Sequence, residues 1–333
     1  MRTELASTNS GGPVISVVIP MRDEAEMVPI LFAQLIPVLD SIGEIYEIVC
    51  VNDGGSDETL IRLLDARSDR AEIKIVDLSR GFGQDAAMMA GLDRASGQAL
   101  VIMDADLQDP PDIIPEMVAR WQNGDEVVYG ARRSRGRDGF FKRLTAGAFY
   151  AVFNRISDVP IAPDAGDFRL MDRKVLDALQ KIPESARFTK GMFAWIGFRQ
   201  AGVSYDRPAR SAGTSKWSYV RLARFALDGL FSFSDIPLRI WTWLGLAIAL
   251  ASISYASFLV VRTIVQGVDV PGYASLMVTV LFLGGIQLLS VGVLGEYIGR
   301  IFSETKRRPL YVVRRTRGIE TNSGTRPDRA GDR

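Results

Sequence analysis

The residue types best suited to chemistry stand together between Gln98 and Asp112, where an apolar run, Ala99 to Met103, ends in Asp104-Ala-Asp106. On an extended segment alternate side chains share a face, so these two carboxylates can converge on one point. Hard carboxylate oxygens in that position suit Mg²⁺ or Mn²⁺ held jointly with a diphosphate. A solvated, capped loop would carry the same two acids, and the D-x-D spacing alone does not separate the readings. The run before them reads as a strand buried on both faces. Asp109-Pro110-Pro111-Asp112 then reads as a helix start, with proline in the first turn and acids near the positive end of the dipole. Acids at the carboxyl end of a buried parallel strand lie where open α/β sheets bind ligands.

Composition narrows the chemistry further. The 333 residues include no histidine, which excludes His-based zinc sites and His general bases, and leaves carboxylates to carry metal or acid–base work. Cys50, the single cysteine, lies in an apolar run and reads as a small core residue, with no disulfide possible within one chain. A formal net charge of +1 provides no overall field for nucleic acid. Hydrophobic residues make up 47% of the chain, and the excess is concentrated after Ile240. Residues 1–13 are polar and rich in Gly and Ser, a flexible N-terminus without an apolar h-region. A cleavable signal peptide is therefore not expected, and the leading domain is expected to stay in the cytoplasm.

The elements that must position the acids follow in order. Val14 to Pro20 is a first strand, ended by the proline, and residues 23–39 have helical spacing at Val28, Leu31, Phe32 and Leu35. Glu47 to Asp53 is a second strand, turned by Gly54-Gly55-Ser56-Asp57 into another helix. Ile73 to Leu78 is a third, and Ser79-Arg-Gly-Phe-Gly-Gln84 leads into a helix over 85–95, before the fourth strand at 99–104. This alternation predicts a βαβ series and a doubly wound, mainly parallel sheet. The strand ends carry Asp23 and Glu24, then Asp53 and Asp57, then Asp104 and Asp106. An acid there can accept from a base N–H or a ribose hydroxyl, or it can cap the next helix, the reading favoured for Asp57. Neither G-x-G-x-x-G after the first strand nor G-x-x-x-x-G-K-[ST] occurs, which disfavours dinucleotide and P-loop chemistry.

Four blocks, Ile19-Pro-Met-Arg-Asp-Glu24, Val51-Asn-Asp-Gly-Gly-Ser-Asp57, Ser79 to Gln84 and Met103-Asp-Ala-Asp-Leu-Gln-Asp-Pro-Pro111, resemble the family 2 glycosyltransferases of GT-A fold. The closer resemblance is to polyprenyl-phosphate glycosyltransferases, the group of dolichyl-phosphate mannose synthase and the bactoprenol glucosyltransferases. Asp23 departs from the family's usual Asn, and Gly81 from its common Asn. The resemblance implies Asp106 as main metal ligand with Asp104 and Gln108, and Pro20, Glu24, Asp53, Gly83 and Asp104 around the nucleotide. Ala165-Gly-Asp-Phe-Arg-Leu170 is similar to the family's second acidic element. It implies a catalytic set of Asp104, Asp106 and Asp167, with Asp167 holding a sugar hydroxyl or the acceptor side.

Later segments carry the cations and the membrane signals. A short fifth strand at 126–129 opens into Gly130 to Arg143, a basic loop containing Arg132 and lacking the aromatic interleaving that stacks bases, so it suits phosphates. Arg210-Ser-Ala-Gly-Thr-Ser-Lys-Trp217 resembles the family's R-x-x-G-x-S-K-[YW] block. Arg210, Ser215 and Lys216 suit an acceptor-phosphate cradle with Arg132 and Arg169, although a hinge into the membrane is the competing reading. Residues 216–239 read as amphipathic interfacial helices. The uncharged stretches Ile240–Val261 and Tyr273–Gly295 then predict two transmembrane helices, 240–262 and 273–297, joined as a hairpin, each long enough for the ~20 residues a bilayer needs. Trp241 and Trp243 stand as interfacial anchors, and a basic tail over 298–333 is expected in the cytoplasm with the catalytic domain at 14–215. Its last dozen residues read as disordered.

Together these features predict an inverting, metal-dependent glycosyltransferase of a bacterial inner membrane. It would move glucose from UDP-glucose, or GlcNAc, a formamido-arabinose or mannose from their nucleotides, to polyprenyl phosphate. The transmembrane helices could also pair copies of the chain. A non-catalytic scaffold on the same fold is the rival, while a flippase lacks an intramembrane charge and a polysaccharide synthase needs more spans.

Overall fold

The computed structural model describes residues 12–132, 165–182, 192–206 except 194, intermittent positions from 243 to 265, and 272–319 except 307. The basic loop at 133–143, the cradle of Arg210, Ser215 and Lys216, the interfacial stretch 216–239, the loop 266–271 and the last dozen residues lie outside the described residues.

Alternation of apolar side chains builds a sheet covered on both faces. In β1 (Ile15–Met21), Ile15, Val17 and Ile19 enter one apolar layer while Val18 enters the other. The first layer is closed by α1 (Met27–Ile42) and α4 (Ile114–Gln122), whose Leu31, Leu35, Ile114 and Met117 are fully buried. The second is closed by α3 (Gln84–Leu92) and α5 (Arg173–Gln180), through Ala87, Met88, Val175 and Leu176. α2 (Thr59–Asp69) contributes Leu63 to the first layer. Each Leu or Val so buried contributes about 1.5–3 kcal/mol of transfer free energy.

The remaining strands are β2 (Tyr46–Asn52), β3 (Ile73–Leu78), β4 (Ala99–Ile102), β5 (Val127–Arg132), β6 (Ala165–Asp172), β7 (Gln200–Tyr205) and β8 (Val313–Arg317). They form one eight-stranded sheet in the order β7-β5-β6-β4-β1-β2-β3-β8. β1 to β4 pair in parallel, as does β5 with β7, whereas β6 runs antiparallel to both β4 and β5 and β8 antiparallel to β3. The doubly wound GT-A architecture expected from the sequence is present.

Several boundaries differ from the sequence expectation for physical reasons. Pro20 does not end β1, which continues to Met21 in register with Asn52 of β2. Val18 accepts from Met103 N–H at 3.2 Å, so Val18 and Pro20 both direct their backbone groups toward β4. Pairing with β4 stops at Val18↔Ile102, where Pro20 has no N–H to offer. The proline thus ends the β1–β4 ladder and releases β4 just before Asp104. Residues 23–26 are not helical either, because Asp23 adopts φ +55° and α1 begins at Met27.

Glu47, 1% exposed, fixes the opposite end of the sheet. Its Oε1 accepts from Ser16 Oγ at 2.5 Å and from Ser96 N and Oγ at 2.5 and 2.9 Å, and its other oxygen meets Lys74. These bonds tie β1, β2 and β3 to the turn before β4.

The C-terminal region departs most from expectation. α6 (Tyr273–Thr305) does not stop at residue 297; its 33 residues make about 50 Å of helix, against about 30 Å of hydrocarbon in a bilayer. Its stretch Phe282–Thr305 is long and apolar enough to cross a membrane, and none of it is buried. Every described residue from Trp243 to Val265 is also helical, with Trp243, Phe258 and Ile264 exposed. Beyond α6 the basic segment is not simply a tail, since Val313–Arg317 is β8.

Candidate active site

Four loops follow the carboxyl ends of β1, β2, β3 and β4, the end at which open α/β sheets bind ligands in a crevice. Asp53, 3% exposed, follows β2, and its Oδ1 and Oδ2 accept the N–H groups of Phe82 and Gly83 at 2.6 and 2.9 Å. A buried carboxylate thus fixes the 79–84 loop after β3. Gly54, at φ +59°, lies so close to the backbone of Arg80 and Gly81 that a side chain would collide with it. Gly83, at φ +101°, turns the loop into α3.

Asp23 and Asp57 connect the first two loops. Asp23 Oδ1 accepts from Ser56 N at 2.7 Å. Asp57 Oδ2 accepts from Ala25 N at 2.9 Å, and its Oδ1 from the N–H and hydroxyl of Thr59 at 3.0 and 2.6 Å. Burial raises the Asp57 pKa, but the Thr59 and Ala25 hydrogen bonds outweigh it and hold the carboxyl below its ordinary value. Asp57 serves the start of α2, as the capping reading expected. The Glu24 N–H donates to Thr59 Oγ1 at 2.8 Å, and Glu24 is half-buried.

The acidic pair arrives as β4 ends. Asp104 and Asp106 are both half-buried, and Gln84 Nε2, at the first residue of α3, donates to Asp104 Oδ1 at 2.8 Å. Asp106 Oδ1 accepts from Gln108 N at 3.1 Å across Leu107, which is held at φ +56° with its side chain buried. A left-handed leucine costs roughly 1–2 kcal/mol and persists only where its surroundings enforce it. Below this turn, buried Asp109 accepts from the Tyr205 hydroxyl, joining the loop to the end of β7. A 3-10 turn at Pro111–Ile113 leads into α4, as the proline pair predicted.

β6 brings Asp167 to the same end of the sheet. Ile102 pairs with Arg169 in antiparallel register, and continuing that register sets half-buried Asp167 opposite Asp104. Arg169, in contrast, is 3% exposed and lies 3.9 Å above the Phe193 ring. Burial lowers its pKa to about 10 against the supporting charge of Asp167, so it remains a cation at neutral pH. Arg169, expected among the acceptor-phosphate ligands, is thus a buried cation whose charge Asp167 supports. Arg132 ends β5 opposite Tyr205.

The donor set fits a hard divalent cation. Among the described residues no cluster of three or more acidic, Cys or His side chains forms a closed cage. The carboxylates of Asp104 and Asp106 at the end of β4 match the way Mg²⁺ binds, through one or two protein carboxylates completed by substrate phosphates and water. The sequence reading missed Gln84 and Tyr205. Gln84 lay at the end of a quoted block without a role, and no local pattern links Tyr205 to Asp109, because their contact spans the sheet.

Known proteins resemble the chain in both of its parts. Residues 16–180 match Glycosyl transferase family 2, and residues 236–301 match the GtrB C-terminal hairpin. A Synechocystis protein described as an uncharacterized glycosyltransferase, sll0501, is 53% identical over 92% of this chain and 96% of its own. The SfII prophage-derived bactoprenol glucosyl transferase of Shigella flexneri is 42% identical over 91% of this chain and 98% of its own. The prophage bactoprenol glucosyl transferase homolog of Escherichia coli K12 is 42% identical over 91% and 99%. With the strand-end acids in place and its similarity running almost end to end, the chain belongs to glycosyltransferase family 2.

Proposed function

We propose that this chain transfers a hexose, glucose from UDP-glucose in the first instance, to the phosphate of a polyprenyl phosphate at the cytoplasmic face of a bacterial inner membrane. The observation that carries this reading is the union in one chain of acids at the carboxyl ends of β2 and β4 and a helix long enough to cross a bilayer. A water-soluble sugar nucleotide and a membrane-bound acceptor need such a meeting place. The names of the relatives at 42% identity support the same acceptor and sugar.

Asp104 and Asp106 would hold Mg²⁺ or Mn²⁺ against the donor diphosphate, with Gln108 beside them. When bound, the ion supplies positive charge that stabilises the departing nucleotide. Gln84 orients Asp104, while the loop fixed by Asp53 presents Gly83 to the nucleotide; Pro20 and Glu24 border the same end of β1. A phosphate monoester has a second pKa of about 6, so the acceptor is already an anionic nucleophile at pH 7. One of its oxygens bonds to the anomeric carbon as the bond from that carbon to the diphosphate oxygen breaks, and the nucleotide leaves with the electron pair. A single displacement inverts the anomeric centre. Asp167 would hold a sugar hydroxyl or the acceptor side, and Arg132, Arg210, Ser215 and Lys216 would meet the acceptor phosphate. Two spans, with both termini cytoplasmic, complete the arrangement, and their exposed apolar faces would meet lipid or a second copy of the chain.

The test is a donor panel on the full chain in detergent with undecaprenyl phosphate. Labelled UDP-glucose should yield organic-extractable, lipid-linked glucose. Transfer from UDP-GlcNAc, a UDP-formamido-arabinose or GDP-mannose instead would reassign the sugar. No transfer from any donor would favour the non-catalytic scaffold.

A further inference from the structure

The segment after α6 grips the donor-side loop at three points. Leu310, Tyr311, Val313 and Ile319 pack on the apolar layer that contains α3. First, Ser79 is held through both of its backbone groups: its N–H donates to Val312 O at 2.9 Å, and its carbonyl accepts from Arg314 Nη2 at 2.6 Å. Second, Arg315 Nε donates to Asp77 Oδ2 at 3.1 Å, while Asp77 Oδ1 accepts from Asn52 Nδ2 at 2.9 Å, immediately before Asp53. Third, the Tyr311 hydroxyl donates to Asp93 Oδ2 at 2.6 Å and accepts from Arg94 Nη1 at 3.0 Å, at the far end of α3.

These contacts bracket the unit that carries Phe82, Gly83 and Gln84, at Ser79 before it and at Asp93 and Arg94 after it. Simple cover for the exposed edge of β3 would need only the β8 ladder. Asp77 and Asn52 are 1% and 5% exposed, so their bonds form in a medium where loss of a charged partner is felt. Residues 306–312 join the segment to α6 and span at most about 25 Å when extended, which ties the grip to the end of the apolar helix.

We propose that residues 310–317 are a clasp that sets the geometry of the nucleotide-sugar site. Tyr311 and Arg315 are its positioning residues, and through them the donor loop is coupled to the membrane helix. This rests on the nucleotide-sugar reading above, so the test includes a measurement that needs no substrate. Tyr311→Phe combined with Arg315→Gln keeps the packing and the Arg314 bond to Ser79 and removes the other two side-chain grips. In the full chain in detergent, amide exchange at Phe82 and Gly83 should accelerate about tenfold, the loss expected for a hydrogen bond involving a charged group. UDP affinity, by calorimetry with Mg²⁺ present, should weaken about tenfold as well, while KM for polyprenyl phosphate stays unchanged. Arg315→Lys alone should behave close to the parent, because its ammonium can still reach Asp77. Unchanged loop exchange would overturn the clasp, as would equal losses for both substrates. Faster loop exchange in a chain that binds no nucleotide would support the clasp and defeat the donor reading instead.

Discussion

Both oxygens of Asp53 accept loop amides, so its charge shapes the crevice whether or not it also touches a ligand. Asparagine would keep the size and one acceptor but turn an NH₂ group against a backbone N–H. Asp53→Asn should therefore cost about 1.5–3 kcal/mol, visible as a lower denaturation midpoint and as faster exchange of the Phe82 or Gly83 amide. Unchanged exchange at both amides would show that the loop holds itself. The acids at the strand ends were legible because each stands where an apolar run stops, at Asp53, Asp104 and Asp106. Their division of labour was not legible. Asp53 and Asp57 anchor loops while Asp104 and Asp106 stay half-buried at the crevice, and that difference depends on contacts up to 35 residues away in sequence, such as Glu24 N–H to Thr59. The spacing of Arg169 from Asp167 predicts a shared face without saying how deep that face lies.

At the scale of elements, the parallel half of the sheet could be read from alternating apolar runs and turns, and Ile73–Leu78 agrees with the expected third strand. β6 and β8 could not be read so easily. Each pairs antiparallel with a strand distant in the chain, and β8, Val-Arg-Arg-Thr-Arg, has the composition of a basic tail. Only the open edge of β3 makes it a strand. Glu47 offers an element-scale test, since it joins three strands to the turn before β4. Burial raises its pKa, but bonds from Lys74, Ser16 and Ser96 prevail and leave it below the ordinary 4.5. A depressed carboxylate contributes stability that is complete above that value and is lost as pH falls through the folded pKa. Glu47→Gln should thus cost about 3 kcal/mol at pH 7 and flatten the acid side of the stability curve below pH 4.5. An equally steep acid limb in the variant would assign the loss to other carboxylates.

For the whole molecule, the pairing of β8 with β3 constrains topology. It sets residues 313–317 beside the catalytic sheet, so any membrane crossings between β7 and β8 must be even in number. On the proposed reading of α6 as one crossing, a second would come from the apolar stretch around 243–265. In a Cys50→Ala background, an impermeant thiol reagent outside the cell should label Asp269→Cys and spare Glu320→Cys. The reverse pattern would overturn the hairpin. The central claim, that sugar transfer to a polyprenyl phosphate takes place at the acids ending β4, is tested most directly by lipid-linked product formation in wild type and Asp106→Asn. The substitution preserves size and removes the charge that a divalent ion requires. Wild type should transfer sugar with Mg²⁺ or Mn²⁺ and stop in EDTA, and Asp106→Asn, still folded, should be about a hundredfold slower or worse. Full transfer by the variant, or by the wild type in EDTA, would contradict the account.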